Sequence, residues 1–67
     1  MSNHLRRLRF EAGEMTQQQL AQQVGVTRQT VIAIEGGKYA PSLELAFKLA
    51  AALGRPLEQV FQYQPEG

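Results

Sequence analysis

TQQQLAQQVGVTRQTVIAIE, residues 16–35, is the stretch on which the fold turns. It fits two short helices separated by a tight turn at Gly25. The Thr16 hydroxyl can accept from an otherwise unpaired backbone N–H, and Gln19, three residues on, completes a T-x-x-Q capping box. Leu20, Ala21 and Val24 form the buried stripe of the first of these helices. Gly25 suits the left-handed conformation that ends a helix. Val26 enters the turn, and Thr27 caps the next helix, which runs to about Glu35 before Gly36-Gly37 stop it.

Outward from this segment the punctuation continues. HLRRLRFEA, residues 4–12, reads as a first helix with Leu5 and Leu8 on one face, Ala12 a further turn on and Gly13 as the stop. After the loop KYAP, Ser42 caps LELAFKLAAAL, where Leu45, Leu49 and Leu53 recur at i, i+4 beside Ala46 and Ala50. Gly54 ends it. Pro56 fits the first position of a short last helix, PLEQVF. The tail FQYQ alternates apolar and polar, which favours a brief strand or an extended arm. The expected architecture is an all-α bundle of five helices, one domain over residues 1–67, with a possible short C-terminal strand.

A chain of 67 residues holds one small domain. Such a domain buries only ~60% of the surface its unfolded chain exposes, so its core is thin. Cysteine is absent, which excludes disulfides and thiolate metal sites, and the one histidine, His4, has no second ligand at metal-binding spacing. No metal or cofactor is expected, and stability must come from helix packing and oligomerisation. The net charge of +1 neither demands nor excludes a polyanion. Arg6, Arg7 and Arg9 cluster at the start, while Arg28 and Lys38 bracket the helix that begins at Thr27. No apolar run could span a bilayer and no apolar signal segment leads the chain, so a cytoplasmic protein is expected, with no membrane partner. No catalytic constellation is visible: aspartate and cysteine are missing and no Ser/His/acid set occurs. Gly36-Gly37-Lys38 follows a helix instead of opening one, so it is not a phosphate-binding P-loop.

The helix after Thr27 has two faces. At ~100° per residue, Thr27, Thr30, Val31 and Ile34 share one arc, and Arg28, Gln29, Ile32 and Ala33 the other. Val31 and Ile34 are natural core residues, so the second arc faces out. A solvated face would favour Glu and Lys. This one offers groups that suit DNA: Arg for guanine, Gln for adenine, and small apolar groups for thymine methyls. Taken singly, each residue has a plainer account, with Ile32 at the rim of the core and Arg28 a solvated charge. Joined to the capped preceding helix and the turn, base readout by Arg28, Gln29, Ile32 and Ala33 is the better reading.

The helix that starts at Thr16 adds to it. Its N-terminus carries unpaired N–H groups that attract phosphate, Gln17 and Gln18 can add donors, and no acid occupies the first turn. In the following loop, Lys38 is read as a phosphate contact. Tyr39 either grips phosphate through its hydroxyl or covers the core beside Pro41.

These residues resemble the phage repressor and Cro type of helix-turn-helix regulator, the XRE family, from about Leu5 to Phe61. The matching pieces are LRRLRFEAGEMTQQQLA, VGVTRQTVIAIEGGKYAPSLELAFKLAAALG and PLEQVF. The chain is most similar to very short members ending F-Q-[YW]-x-P-E, a type that includes a dimeric repressor of a cytolysin operon. The resemblance implies a lambda-repressor-like fold with its helix-turn-helix at 16–35. It implies Gln17 on the DNA backbone, Arg28 and Gln29 on bases, Thr27 and Thr30 flanking them at base and phosphate respectively, and a homodimer on a palindromic operator. It also sets Arg9 against Glu35 as an ion pair that fixes the angle between helices. Two departures stand out. Glu14-Met15 replaces the single apolar residue of many relatives, with Met15 expected to take that apolar role. Met-Ser-Asn at the start, where the cytolysin-repressor type has an apolar strand, counts against an N-terminal strand partner for FQYQ.

Paired helix-turn-helix units set their reading helices about 34 Å apart, one turn of DNA. The segment 56–65 is the expected joint, through Leu57, Val60, Phe61 and Tyr63, with Phe61 also closing the monomer's core. The function expected is a sequence-specific, nucleoid-associated DNA-binding regulator. Repression is expected because the chain has no room for an activation or effector-sensing domain. The alternative is an antitoxin or protein-interaction module of the same fold.

Overall fold

Side-chain caps set where the helices begin. The structure, a computed structural model, describes residues 2–62. Thr16 lies in extended backbone, its Oγ1 accepts from Gln19 N at 3.0 Å, and Gln19 Oε1 accepts from Thr16 N at 2.9 Å. This reciprocal pair fixes the start of the helix Gln17–Val24. Thr27 Oγ1 accepts from Thr30 N at 3.2 Å at the head of Arg28–Glu35. Ser42 Oγ accepts from Leu45 N at 3.2 Å at the head of Leu43–Leu53. With Leu5–Glu11 before them and Leu57–Val60 after, the five helices are α1 (Leu5–Glu11), α2 (Gln17–Val24), α3 (Arg28–Glu35), α4 (Leu43–Leu53) and α5 (Leu57–Val60). This is a small all-α, lambda-repressor-like arrangement.

The turn between α2 and α3 needs its glycine. Gly25 takes φ 78°, and its N–H and that of Val26 both bond back to the carbonyl of Ala21. A side chain at this φ would strain the backbone, so glycine sets the direction in which α3 departs. The extra residue of the α1–α2 loop is absorbed less comfortably. Glu14 stands at φ 58°, the one non-glycine residue with positive φ among the described residues. Met15 then turns half-buried onto the core.

The core lies between α2, α3 and α4, closed by α1 and α5. Leu5 and Leu8 come from α1, Leu20, Ala21 and Val24 from α2, Val31 and Ile34 from α3, and Ala46, Leu49, Ala50 and Leu53 from α4. α2 packs on both α3 and α4, and α5 packs on α4. Ala12, expected to extend the α1 face, is instead its exposed C-cap.

Two expectations about the ends are corrected. Pro56 precedes α5 as its N-cap, with ψ 152° holding it outside the helix. The start of the chain does supply a strand partner. β1 (Ser2–Asn3) pairs antiparallel with β2 (Phe61–Gln62), Ser2 opposite Gln62 and Asn3 opposite Phe61. Backbone pairing needs no apolar side chain, and Asn3 adds bonds of its own. Its Nδ2 donates to the Ile34 carbonyl at 2.8 Å, and its Oδ1 accepts from Leu5 N at 3.2 Å. Burial also bears on the expected joint, in which Phe61 is expected to close the core as well. Val60 is 0% exposed and Phe61 is buried in the chain's own core. The short α5 presses Val60 under α4, and β2 turns Phe61 inward. A fully enclosed side chain has no surface left for a second copy. Leu57 is half-buried against the same core, and Tyr63 lies outside the described residues.

Candidate nucleic-acid interface

α3 carries its apolar residues on one side only. Val31 and Ile34 are enclosed, which anchors the helix and turns Arg28, Gln29 and Ile32 to solvent. Ile32 is 40% exposed. Leaving so large an aliphatic group in water forgoes burial energy on the order of 1 kcal/mol, so it brings the monomer no gain. Ala33 was read as fully outward, but it is half-buried. The loop after α3 folds back on it, with Lys38 N donating to the Ala33 carbonyl at 2.9 Å. Thr27 is exposed and Thr30 half-buried, and their hydroxyls lie 3.1 Å apart.

Behind this face sits a buried ionic clasp. Arg9 Nε and Nη2 donate to Glu35 Oε2 and Oε1 at 2.6 and 3.1 Å, and Arg9 Nη1 donates to the Met15 carbonyl at 2.8 Å. Both ionic side chains are only 10% exposed. A planar guanidinium matches a carboxylate bidentately, so the pair fixes orientation as well as distance. It joins α1 and the α1–α2 loop to the end of α3. Gln17 Nε2 also donates to Glu35 Oε1, at 3.1 Å. One of the two N–H donors of the Gln17 side-chain amide is thus engaged by the clasp. Every buried side-chain nitrogen and oxygen among the described residues has a partner.

Gln18 is exposed. Within α2 the Gln19 amide is taken by Thr16 Oγ1 and the Leu20 amide by the Thr16 carbonyl. The amides of Gln17 and Gln18, in the first turn, have no helical acceptor. Neither α2 nor α3 has an acid in its first turn, whereas α4 has Glu44 and α5 has Glu58. Acids normally favour the positive end of a helix; α1 lacks one too, and of these three α2 and α3 are the helices of the turn motif, whose positive ends are left open to an external anion.

Lys38 and Tyr39 project from the loop after α3, both exposed. Tyr39 also lines a small pocket with Pro41, Ile34 and Phe61. Four ion pairs occur among the described residues: Arg7–Glu11, Arg9–Glu35, Lys48–Glu44 and Arg55–Glu11. Arg6, Arg28 and Lys38 are therefore the cations without a carboxylate partner among those residues. No group of acids, histidines or cysteines in the described residues could hold a metal ion, and no helix there is long and apolar enough to cross a membrane.

A short helix held from behind, preceded by a capped helix and a glycine turn, with polar and cationic groups turned outward, defines a helix-turn-helix protein of the DNA-binding class. The chain belongs to the XRE-type helix-turn-helix family: the family described as Helix-turn-helix matches residues 5–60. An uncharacterized HTH-type transcriptional regulator of Methanothermobacter thermautotrophicus is 50% identical over 68 aligned positions, covering 100% of this chain and 97% of that one. Another, of Methanocaldococcus jannaschii, is 54% identical over 52 residues, 78% of this chain and 79% of the relative. YgzD of Bacillus subtilis, named in the same way, is 47% identical over 66 residues, 98% of each chain. The resemblance read from the sequence is thus shown at the level of the family, and with it a DNA-binding regulator.

Proposed function

We propose that the chain is a sequence-specific repressor that binds a palindromic operator as a homodimer, with α3 in the major groove. Arg28 and Gln29 read base edges, Ile32 touches a thymine methyl, and Thr27 and the half-covered Ala33 border them. Gln18, Thr30, Lys38 and Tyr39 hold the phosphate backbone, and Gln17 joins them through its main-chain N–H. The observation that carries this reading is the uncommitted outer face of α3. The side chains of Arg28 and Gln29 make no hydrogen bond among the described residues, yet the helix that bears them is fixed by a buried ion pair. Pre-set orientation with unspent donors is what groove reading requires.

Two copies are needed because one small unit reads too few base pairs for regulation. With Val60 and Phe61 enclosed, apolar side chains open to a second copy include Leu43 and Phe47 on α4, 68% and 53% exposed, and half-buried Leu57 at the start of α5 together with Tyr63, outside the described residues, complete the proposed joint. A two-fold dimer presents two identical α3 faces, so its operator has matching half-sites. Repression follows from occupancy alone: a bound dimer blocks its stretch of duplex.

Selection of tight binders from random duplexes, followed by titration at physiological salt, tests this. A recurring inverted repeat bound at least 10³-fold more tightly than mixed duplex is expected, at the low end for specific regulators. Equal affinity for both would overturn it, and stable copurification with a protein in place of DNA would favour an antitoxin or interaction module.

A further inference from the structure

We infer that the DNA contact extends past the helix-turn-helix onto α1, where Arg6 grips the phosphate backbone and Phe10 packs on the adjoining deoxyribose. This rests on the DNA-binding reading above and adds a second strand of contact to it.

A cleft of about 770 Å³ opens between the outer side of α1 and the first turns of α2 and α3. Arg6 and Phe10 line it together with Gln17, Gln18 and Arg28. Two residues of α1 therefore share one hollow with the groups assigned to phosphate and bases. The cleft is also where the unpaired charge collects. Arg9 and Glu35 cancel within it, and Arg6 and Arg28 outweigh Glu14. Arg7, one residue from Arg6, is bonded to Glu11 and lies outside the cleft.

Phe10 is the second, independent observation. It is 54% exposed, and the Arg9 guanidinium carbon sits 5.9 Å from its ring centroid. That cation over the face steadies the ring. A fixed aromatic standing in water beside an unpaired arginine is of no use to the core. It matches the alternation of a nucleic-acid strand, where an apolar sugar face adjoins each phosphate.

Salt titrations on a mixed-sequence duplex and on the selected operator test the inference, with circular dichroism to check each fold. For R6A, affinity should fall alike on both duplexes, and the slope of log K against log salt should flatten by about 0.9, the loss of one phosphate contact. R6E should flatten it at least as far. F10A should weaken binding severalfold with the slope unchanged, and R7A should match the parent chain. An R6A slope equal to the parent's, with operator preference intact, would overturn this inference and leave the DNA reading standing. A parent chain with no operator preference would overturn the DNA reading instead, and one with no duplex affinity at all would overturn both. Loss of binding to a copurifying protein in R6A, with DNA affinity unaltered, would assign the cleft to that protein and also count against the proposal.

Discussion

The side chain of Asn3 donates to the main-chain carbonyl of Ile34 at 2.8 Å, so the start of the chain holds the last turn of α3. That carbonyl, at the helix end, also accepts from Gly37 N at 3.0 Å, so Asn3 supplies its second bond. The same amide also accepts from Leu5 N, which gives α1 a cap that His4 does not supply. For N3A both bonds go. A loss of about 1–2 kcal/mol is expected, read as a fall in Tm of roughly 5–15 °C for a domain of this size. An unshifted melt would mean that water replaces the amide at no cost.

The Arg9–Glu35 clasp behaves as a unit. Removing one partner leaves a buried charge unsatisfied, so E35Q or R9A should each cost about 3–5 kcal/mol in urea unfolding. The double change to apolar residues, Arg9→Met with Glu35→Leu, should recover much of that loss, because no lone charge remains. Near-additive losses would show that each group is stabilised separately.

Arg28 and Lys38 should fail differently. R28A is expected to cost about 1–3 kcal/mol on the selected operator and to relax base choice at one position per half-site. K38A should weaken all duplexes alike and flatten the salt dependence. If R28A weakened every sequence equally, Arg28 would be a phosphate contact and the reading frame of α3 would need to rotate.

If the chain pairs as proposed, core and joint should separate on α4 and α5. F47S should shift sedimentation from dimer toward monomer while the monomer stays folded. V60A should leave association unchanged and cost about 1–3 kcal/mol of stability, since Val60 is wholly enclosed. Dimer loss in V60A without loss of stability would return Val60 to the interface.

Glu14 offers a gain. Its left-handed backbone costs about 1–2 kcal/mol, and glycine there gives back part of the benefit through a freer unfolded chain. E14G should therefore raise stability by about 0.5–1 kcal/mol, measured by chemical denaturation. A decrease would show that the Glu14 side chain makes a contact worth more than the strain.

What could be seen in the sequence was whatever is local. Thr16 with Gln19, Thr27 and Ser42 bond within one turn of themselves, so their spacing alone announces three helix starts. The outward set of Arg28, Gln29 and Ile32 follows from helical period once Val31 and Ile34 are assigned inward. Some misreadings are local, as at the helix ends Ala12 and Pro56, and others involve distance. Asn3 meets Ile34 across 31 positions, and nothing near Asn3 marks it as more than a polar leader. Gln17 finds Glu35 across the α2–α3 unit, which turns a surface glutamine into part of the clasp. α5 is four residues long, too short for a periodicity to say which of Leu57, Val60 and Phe61 point inward. Arg6 and Phe10 share a hollow with Gln17, Gln18 and Arg28 only through the packing of α1 against α2 and α3, which no local pattern announces.

The pairing of Ser2 with Gln62 joins the most widely separated positions of the described chain. Closing so long a loop costs entropy that no neighbouring helical turn has to meet. The helices, with their short-range contacts, are therefore expected to set the tempo of folding, and the terminal pairing to assemble last. In native-state hydrogen exchange the His4 amide, which bonds to the Val60 carbonyl, should trade its proton ahead of the amides inside α2 and α4. Brief fraying at that seam would release Ile34's carbonyl from Asn3, so the end of α3 would inherit the breathing of the chain ends.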